Sequence, residues 1–217
     1  MIENSSGIAC LFVDIGGVLL TNGWDHVARK RAVERFDLNW EEMEERHRLT
    51  FELHEEGKLS FEEYLNLVVF YEKRPFTPLQ FRQFMCEQST PYQDMIATIT
   101  QLKARYALKI AVVSNESHEL NAYRIRTFKL DAFVDCFVSS CFVHLRKPDA
   151  NIFRLALDLT HTEPHQVLYI ENTPMFVQIA EGLAIRSILH TDHQSTCAKL
   201  TSLGFLSGRE AAVPASL

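Results

Sequence analysis

Long apolar runs are missing from this 217-residue chain. None approaches the roughly 20 consecutive apolar residues that a membrane-spanning helix needs. The first, Ile8–Val13, is preceded by no basic segment and is too short for a secretory signal. A surplus of positive charge is missing too: 22 Lys and Arg face 28 Asp and Glu, for a formal net charge of −6. That balance lacks the footprint of a nucleic-acid binder and the polybasic attraction to an anionic membrane. Glycine and proline number only 8 and 7, which excludes collagen-like and low-complexity chains. The five cysteines, Cys10, Cys86, Cys136, Cys141 and Cys197, form no Cys-x-x-Cys pair. Neither a zinc ribbon nor a thioredoxin-like motif is therefore indicated. Free thiols suit a reducing compartment, and a soluble cytoplasmic protein is expected.

What is present is ordinary globular composition, 47% hydrophobic and 23% charged. A chain of this length buries roughly 70% of its unfolded surface. Continuous apolar runs at 8–13, 109–113 and 167–170 each end in polar residues, as buried parallel strands do. Weaker strand patterns occupy 133–138 and 185–189. Helix-period segments at about 92–106, 117–128, 149–159 and 174–183 alternate with them. This alternation predicts an α/β Rossmann-like doubly wound parallel sheet. Residues 23–90 read differently, as four helices at 24–36, 39–56, 60–73 and 78–89. A capping box at Ser60 and Glu63 starts the third, and Pro75 and Pro78 separate it from the fourth. The expected organisation is a core of residues 1–22 and 91–206, an inserted helical cap over 23–90, and a frayed tail over 207–217.

In open parallel sheets, ligands bind at the carboxyl ends of the strands. Asp14, Ser114 and the pair Glu171-Asn172 stand there. A carboxylate beside Gly16 and Gly17 can serve as nucleophile or metal ligand; a turn or cap role is the plainer alternative. Ser114-Asn115 can donate to a phosphate oxygen, or simply form a loop. Lys147 can place its ammonium on an anion, or sit solvated. Glu171 and Asn172 can supply oxygens to Mg²⁺, or cap the helix from Pro174.

Taken together and in order, these segments resemble the haloacid dehalogenase-like hydrolase superfamily, in its branch with a helical cap after the first motif. Asp14-Ile-Gly-Gly-Val-Leu, Val112-Val-Ser-Asn, Lys147-Pro-Asp-Ala-Asn-Ile-Phe and Leu168-Tyr-Ile-Glu-Asn-Thr-Pro match its four motifs in layout. Glu56-Gly-Lys-Leu-Ser resembles the cap loop that overhangs the site in that branch. The resemblance implies Asp14 as nucleophile and Lys147 as its catalytic partner. It implies Ser114, Asn115, Gly16 and Gly17 at the phosphate, and Asp14, Gly16, Asn172 and Glu171 around Mg²⁺. The implied activity is Mg²⁺-dependent hydrolysis of a small phosphorylated metabolite through an aspartyl-phosphate.

Two positions depart from the family pattern. Gly16 stands where an acid–base Asp is usual, and such help is worth roughly 10²–10⁴-fold. Asn172 replaces a carboxylate ligand with a neutral one. Both point to a slow phosphatase. The rivals are a metal-independent 2-haloacid dehalogenase and a degenerate member that only binds a ligand or a protein. His190-x-x-His193 has ligand-like spacing but reads as surface loop, and Trp24 as a packing residue. Residues 37–63 hold ten acids against Arg46, Arg48 and Lys58, which places the chain's negative charge on the cap. If that face overhangs the entrance, it disfavours highly anionic substrates.

Overall fold

Five short strands form one parallel sheet: β1 (Cys10–Val13), β2 (Lys109–Ser114), β3 (Cys136–Ser139), β4 (Val167–Glu171) and β5 (Arg186–Leu189). Their order is β3-β2-β1-β4-β5, so the chain reverses direction across the sheet beside the central β1. The computed structural model describes residues 7–206; the segment 207–217, read above as a tail, lies outside them. Side chains alternate across the strands, as the two-residue period requires. Leu11, Val13, Ile110, Val112, Leu168 and Ile170 pack on one face against α5 (Gln93–Tyr106) and α10 (His193–Ser202). Cys10, Phe12, Ala111, Val113, Val167 and Tyr169 pack on the other against α8 (Asn151–Thr160) and α9 (Pro174–Gly182). The fold is α/β and Rossmann-like. Among the described residues no helix is long and apolar enough to cross a membrane.

Between β1 and α5 lie α1 (His26–Phe36), α2 (Trp40–Glu55), α3 (Phe61–Val68) and α4 (Pro78–Glu87). They share a separate apolar core around Ala32, Met43, Tyr64, Leu65, Val68, Phe81 and Met85. Caps explain where they start: Asp25 accepts from Ala28 N–H, Asn39 from Glu42 N–H, and Ser60 and Thr77 each form a full capping box. The third helix, expected to run to 73, stops at Val68. The N–H groups of Val69 and Phe70 both turn back to the Leu65 carbonyl, at 2.8 and 2.9 Å, and close the last turn. Sequence reading also missed α7 (Ser140–Val143), a single turn, and α10, whose apolar positions show little helical periodicity. The strand expected from Phe133 begins at Cys136, because Leu130–Ala132 forms a 3₁₀ turn that delivers Phe133 and Val134 to the core.

The two segments joining the helical layer to the sheet are tied to each other. Thr21 N–H donates to Thr90 O at 2.9 Å, Thr90 N–H to Thr21 Oγ1 at 3.0 Å, and Tyr92 N–H to Leu19 O at 2.9 Å. Arg124, from α6 (His118–Thr127), is 1% exposed and lies beneath this junction. It donates to Thr21 O (2.9 Å), Ser89 Oγ (3.0 Å) and Glu116 Oε1 (2.5 Å). Gly23, with φ +72°, is required here: a Cβ would fall 1.9 Å from the guanidinium.

His190 and His193 are not a surface loop. His190 is buried and bonds Thr196 Oγ1 through Nδ1 at 2.7 Å. His193 Nε2 meets Thr98 Oγ1 at 2.9 Å and Cys197 Sγ at 3.2 Å, with Asp94 Oδ2 3.5 Å from its Nδ1. These contacts join α5 to α10 and serve packing. No group of three or more His, Cys, Asp and Glu among the described residues is placed to hold a metal.

Candidate active site

Asp14 follows β1 directly, and its N–H donates to Ile170 O at 3.1 Å, so the sheet itself fixes the backbone. Lys147, 1% exposed, donates from Nζ to Asp14 Oδ1 at 2.9 Å, Glu171 Oε2 at 2.6 Å and Tyr169 Oη at 3.2 Å. Tyr169 in turn donates its hydroxyl hydrogen to Glu171 Oε2. Burial pushes the Asp14 carboxyl up to about 7, and the Glu171 charge adds to this, while Lys147 opposes both. Burial also disfavours the Lys147 ammonium, but Asp14 and Glu171 outweigh it and hold its pKa above the ordinary value. The group is an ammonium clamped between two carboxylates at the sheet's switch point.

Asn115 sets the position of that ammonium. Its side chain donates to Lys147 O and accepts from Lys147 N–H, both at 2.8 Å. The amide is thereby tied to the Lys147 backbone, while Asn115 still lines the cavity beside Ser114. Gly17 is displaced from the role expected of it. Its N–H donates to Leu20 O at 2.7 Å, because residues 15–20 close a tight turn, and it does not line the cavity. Asp14, Gly16, Ser114, Lys147 and Asn172 do line one cavity. Glu171 sits behind them, fully buried, with Oε1 accepting from Thr173 N–H at 2.9 Å.

Asn172 fills the space that a side chain at Gly17 would need: a Cβ there would lie 2.1 Å from its amide. With its nitrogen turned inward, the amide donates to Glu171 Oε1 at 2.9 Å and to Gly16 O at 3.2 Å. A bound hard cation would instead draw the Asn172 oxygen inward, since such ions take oxygen ligands. The donor set of Asp14, Gly16 O and Asn172, backed by Glu171, is all oxygen and fits a hard divalent cation.

The cavity, of about 330 Å³, is closed on its other side by the helical layer through Trp24, Asp25, Arg29, His47, Phe51, His54 and Glu55. Of the ten acids in residues 37–63, only Glu55 lines it. Others are paired on the surface, such as Glu42 with Arg46 and Glu45 with Arg48. The acidity expected at the entrance is therefore mostly solvated helix face. Arg29 is bidentate to Glu44 (2.9 and 2.7 Å) and donates to Trp24 O (3.0 Å). Glu55 Oε2 accepts from Arg146 at 3.1 and 2.9 Å. Glu116 Oε1 accepts from Arg124 and lies 3.5 Å from Ser114 Oγ. Trp24, besides lining the cavity, packs edge-on against Phe81 and donates to Tyr64 Oη at 2.8 Å.

An indole nitrogen only donates, so the Tyr64 oxygen accepts from Trp24, and the same hydroxyl lies 2.8 Å from His47 Nδ1. Burial and the nearby Arg29 charge push the His47 pKa down to about 3. The unfolded chain takes up this proton near pH 6.5 and the folded chain does not, so stability falls as pH drops below about 6.5. For this half-buried group the loss between pH 7 and pH 5 is on the order of 1–2 kcal/mol. Thermal melts of the wild type and His47→Gln across that range should show a flatter profile in the variant. Equal slopes would remove His47 as the cause.

Sequence reading missed Glu116, Tyr169, Arg29, His47, His54 and Glu55. Glu116 was within reach, as the neighbour of Ser114-Asn115, and Tyr169 sits two residues before Glu171 on the same strand face. The cap residues carry no local signal, since only α1 and α2 packing over β1 brings them to the cavity.

Comparison with known proteins agrees with the fold. A family model described as haloacid dehalogenase-like hydrolase matches residues 8–181. A curated relative, (S)-2-haloacid dehalogenase 4A of Burkholderia cepacia, is 26% identical over 86 residues, 40% of this chain and 37% of that protein. The match thus spans little more than a third of the relative. Among solved structures, a HAD family enzyme of Bacteroides thetaiotaomicron in complex with magnesium and inorganic phosphate superimposes with a TM-score of 0.71 at 18% identity, covering 83% of this chain and 93% of that one. The L-2-haloacid dehalogenase of Xanthobacter autotrophicus gives 0.59 at 17% identity, covering 91% and 86%.

Proposed function

From the premise that the chain belongs to the haloacid dehalogenase-like hydrolase family, we propose that it is a magnesium-dependent phosphatase acting on a small phosphorylated metabolite. The observation that carries this reading is the set of Asp14, Gly16 and Asn172 lining one cavity with Ser114 and Lys147, beside the Asp14–Lys147 pair. A metal-free halide displacement has no use for such a cluster. Asp14, Gly16 O and Asn172 would hold Mg²⁺, which when bound screens the repulsion between carboxylate and phosphate.

The chain's own residues do the rest. Lys147 holds Asp14 Oδ1, which leaves Oδ2 to attack phosphorus. The P–O ester bond breaks as the acyl-phosphate bond forms, and the leaving oxygen takes a proton from water and departs as the alcohol. Water then attacks the aspartyl-phosphate, releasing inorganic phosphate and restoring Asp14. The Ser114 hydroxyl donates to an equatorial oxygen, and the Lys147 ammonium, 2.9 Å from Asp14 Oδ1, offsets the charge on the transferring group. Gly16 supplies no proton to the leaving oxygen, so turnover is slow for poor leaving groups. The steric cause is mild: a Cβ at Gly16 would meet Asn22 Oδ1 at 3.4 Å, an ordinary contact.

The dehalogenase reading keeps one specific support, the match to the Burkholderia enzyme. Phosphate release from an aryl phosphate with Mg²⁺, run beside chloride release from 2-chloropropionate without metal, separates the two. Turnover of the haloacid alone would overturn the phosphatase reading. Asn172→Asp supplies a further check. A charged ligand in place of a neutral one should tighten Mg²⁺ binding by about tenfold or more. Titration calorimetry measures this, and unchanged affinity would remove Asn172 from the metal site.

A further inference from the structure

An alkyl oxygen leaving phosphorus needs a proton, and a general acid that supplies it is worth roughly 10²–10⁴-fold. Gly16 has no side chain for this, so a donor would have to be another group lining the cavity. Lys147 has three N–H bonds, and all three are engaged within the protein, by Asp14 Oδ1, Glu171 Oε2 and Tyr169 Oη. Arg29 is held by Glu44, and a guanidinium does not give up its proton. His47, with its pKa pushed down to about 3 by burial and by the Arg29 charge, is a neutral ring at pH 7. Burial keeps His54 neutral as well. Its Nδ1 faces the Leu59 carbonyl at 3.4 Å and holds the hydrogen, so its buried Nε2 has none to give.

The carboxyls of the wall are committed too. Partial burial raises the Glu55 carboxyl and full burial that of Glu116, and a guanidinium opposes the shift in each case. Arg146 donates to Glu55 at 3.1 and 2.9 Å, and Arg124 to Glu116 at 2.5 Å, so both are held as carboxylates. The Asp25 carboxylate caps α1 through Oδ1. The remaining polar side chains, such as Asn22 and Ser114, are amides and hydroxyls, which donate hydrogen bonds but yield no proton near pH 7. Among the described residues the cavity therefore holds a nucleophile and hydrogen-bond donors, but no acid.

We infer that the substrate is an activated phosphate, one whose leaving oxygen belongs to a carboxylic acid, an enol or a phenol and departs as an anion. This rests on the phosphatase reading above. As Asp14 Oδ2 bonds to phosphorus, the P–O bond to the leaving group breaks and its electron pair stays on that oxygen. A carboxylate, enolate or phenolate leaves, and no proton is transferred. Carboxylic acids and phenols ionise at about 4 and about 10, so their anions are far better leaving groups than an alkoxide, which must wait for a proton from water. The volume of about 330 Å³ is near the lower end of small-molecule pockets, roughly 300–1,000 Å³, and suits a small member of this class.

The test compares acetyl, 4-nitrophenyl, phenyl and propyl phosphate, read as Mg²⁺-dependent phosphate release with Asp14→Asn as the blank. The measure is kcat/KM, which covers transfer to Asp14 and excludes the later hydrolysis of the aspartyl-phosphate. It is expected to fall in that order. The 4-nitrophenyl ester should exceed the phenyl ester, its near match in shape, by about 10²-fold or more, the size of the missing acid help. Gly16→Asp places a carboxyl where a Cβ makes only an ordinary contact, at 3.4 Å, and should shrink that ratio by about tenfold or more. A wild-type ratio of about threefold or less would mean that the site does supply a proton; it would overturn the inference and leave the phosphatase reading standing. A ratio unchanged in an active Gly16→Asp would overturn the inference too, by giving the steepness another cause. With an inactive Gly16→Asp, the wild-type ratio decides alone. No release from any of these phosphates, acetyl phosphate included, would overturn the inference and the phosphatase reading together.

Discussion

Asp14→Asn is expected to abolish Mg²⁺-dependent phosphate release, by at least about 10³-fold, because the attacking oxygen is lost and neighbouring groups do not replace a nucleophile. The same substitution should leave the melting temperature at pH 8 unchanged or raise it. The sign follows from the site. Burial, and then the Glu171 charge, lift the Asp14 carboxyl to about 7 in the folded chain, against an unperturbed value of 3.8. A carboxyl whose folded pKa lies above its unfolded one loses stability for the protein as pH rises between the two. An amide removes that cost, while Lys147 keeps Glu171 as its partner. Activity and stability then move apart, as they do where a fold maintains an unfavourable charge for chemistry. The paired measurement is a phosphate-release assay and a thermal melt on one preparation. A drop of several degrees together with lost activity would make Asp14 a structural residue, and retained turnover would remove it as the nucleophile.

Arg124→Met is expected to produce the largest loss of stability, about 3–5 kcal/mol, the usual cost of removing one member of a buried ion pair. At about 2–4 °C per kcal/mol for a chain of this size, the melting temperature should fall by roughly 10 °C. Glu116, 4% exposed, would remain charged without its partner. Thr21 O and Ser89 Oγ would lose their donor at the same time. Arg124→Lys should restore little, because one ammonium does not span three acceptors that a planar guanidinium reaches. Arg124→Met with Glu116→Gln should recover part of the loss by removing the stranded charge. Thermal and urea melts read these differences. A double variant no more stable than Arg124→Met would assign the effect to the Thr21 and Ser89 bonds instead of the ion pair.

Some of this was legible in the chain. Runs such as Lys109–Val113 and Val167–Ile170 announce buried parallel strands because both faces of a central strand are covered, so nothing polar interrupts them. Asp14, Ser114 and Glu171 announce themselves because polarity begins where such a run stops. The capping box at Ser60 is local and appears where it was read. Other features depend on contacts far apart in sequence. The pairing of the Asn115 amide with the Lys147 backbone appears only in the fold. Gly17 looked available until the 15–20 turn took its N–H. His193 acquired Thr98 and Asp94 as neighbours only through α10 docking on α5.

The sequence by itself determined the sheet's strands, the order of the segments that line the cavity and the position of the helical insertion. Each of these follows from hydrophobic burial and backbone capping, which are set by residues within a few positions of one another. Tertiary structure alone decided which side chains are already satisfied and which still need a partner. Lys147 between two carboxylates, Arg29 neutralised by Glu44, and His54 Nε2 left as a buried acceptor are outcomes of long-range packing. Hydrogen bonding and desolvation depend on distance in space, and no pattern along the chain encodes them.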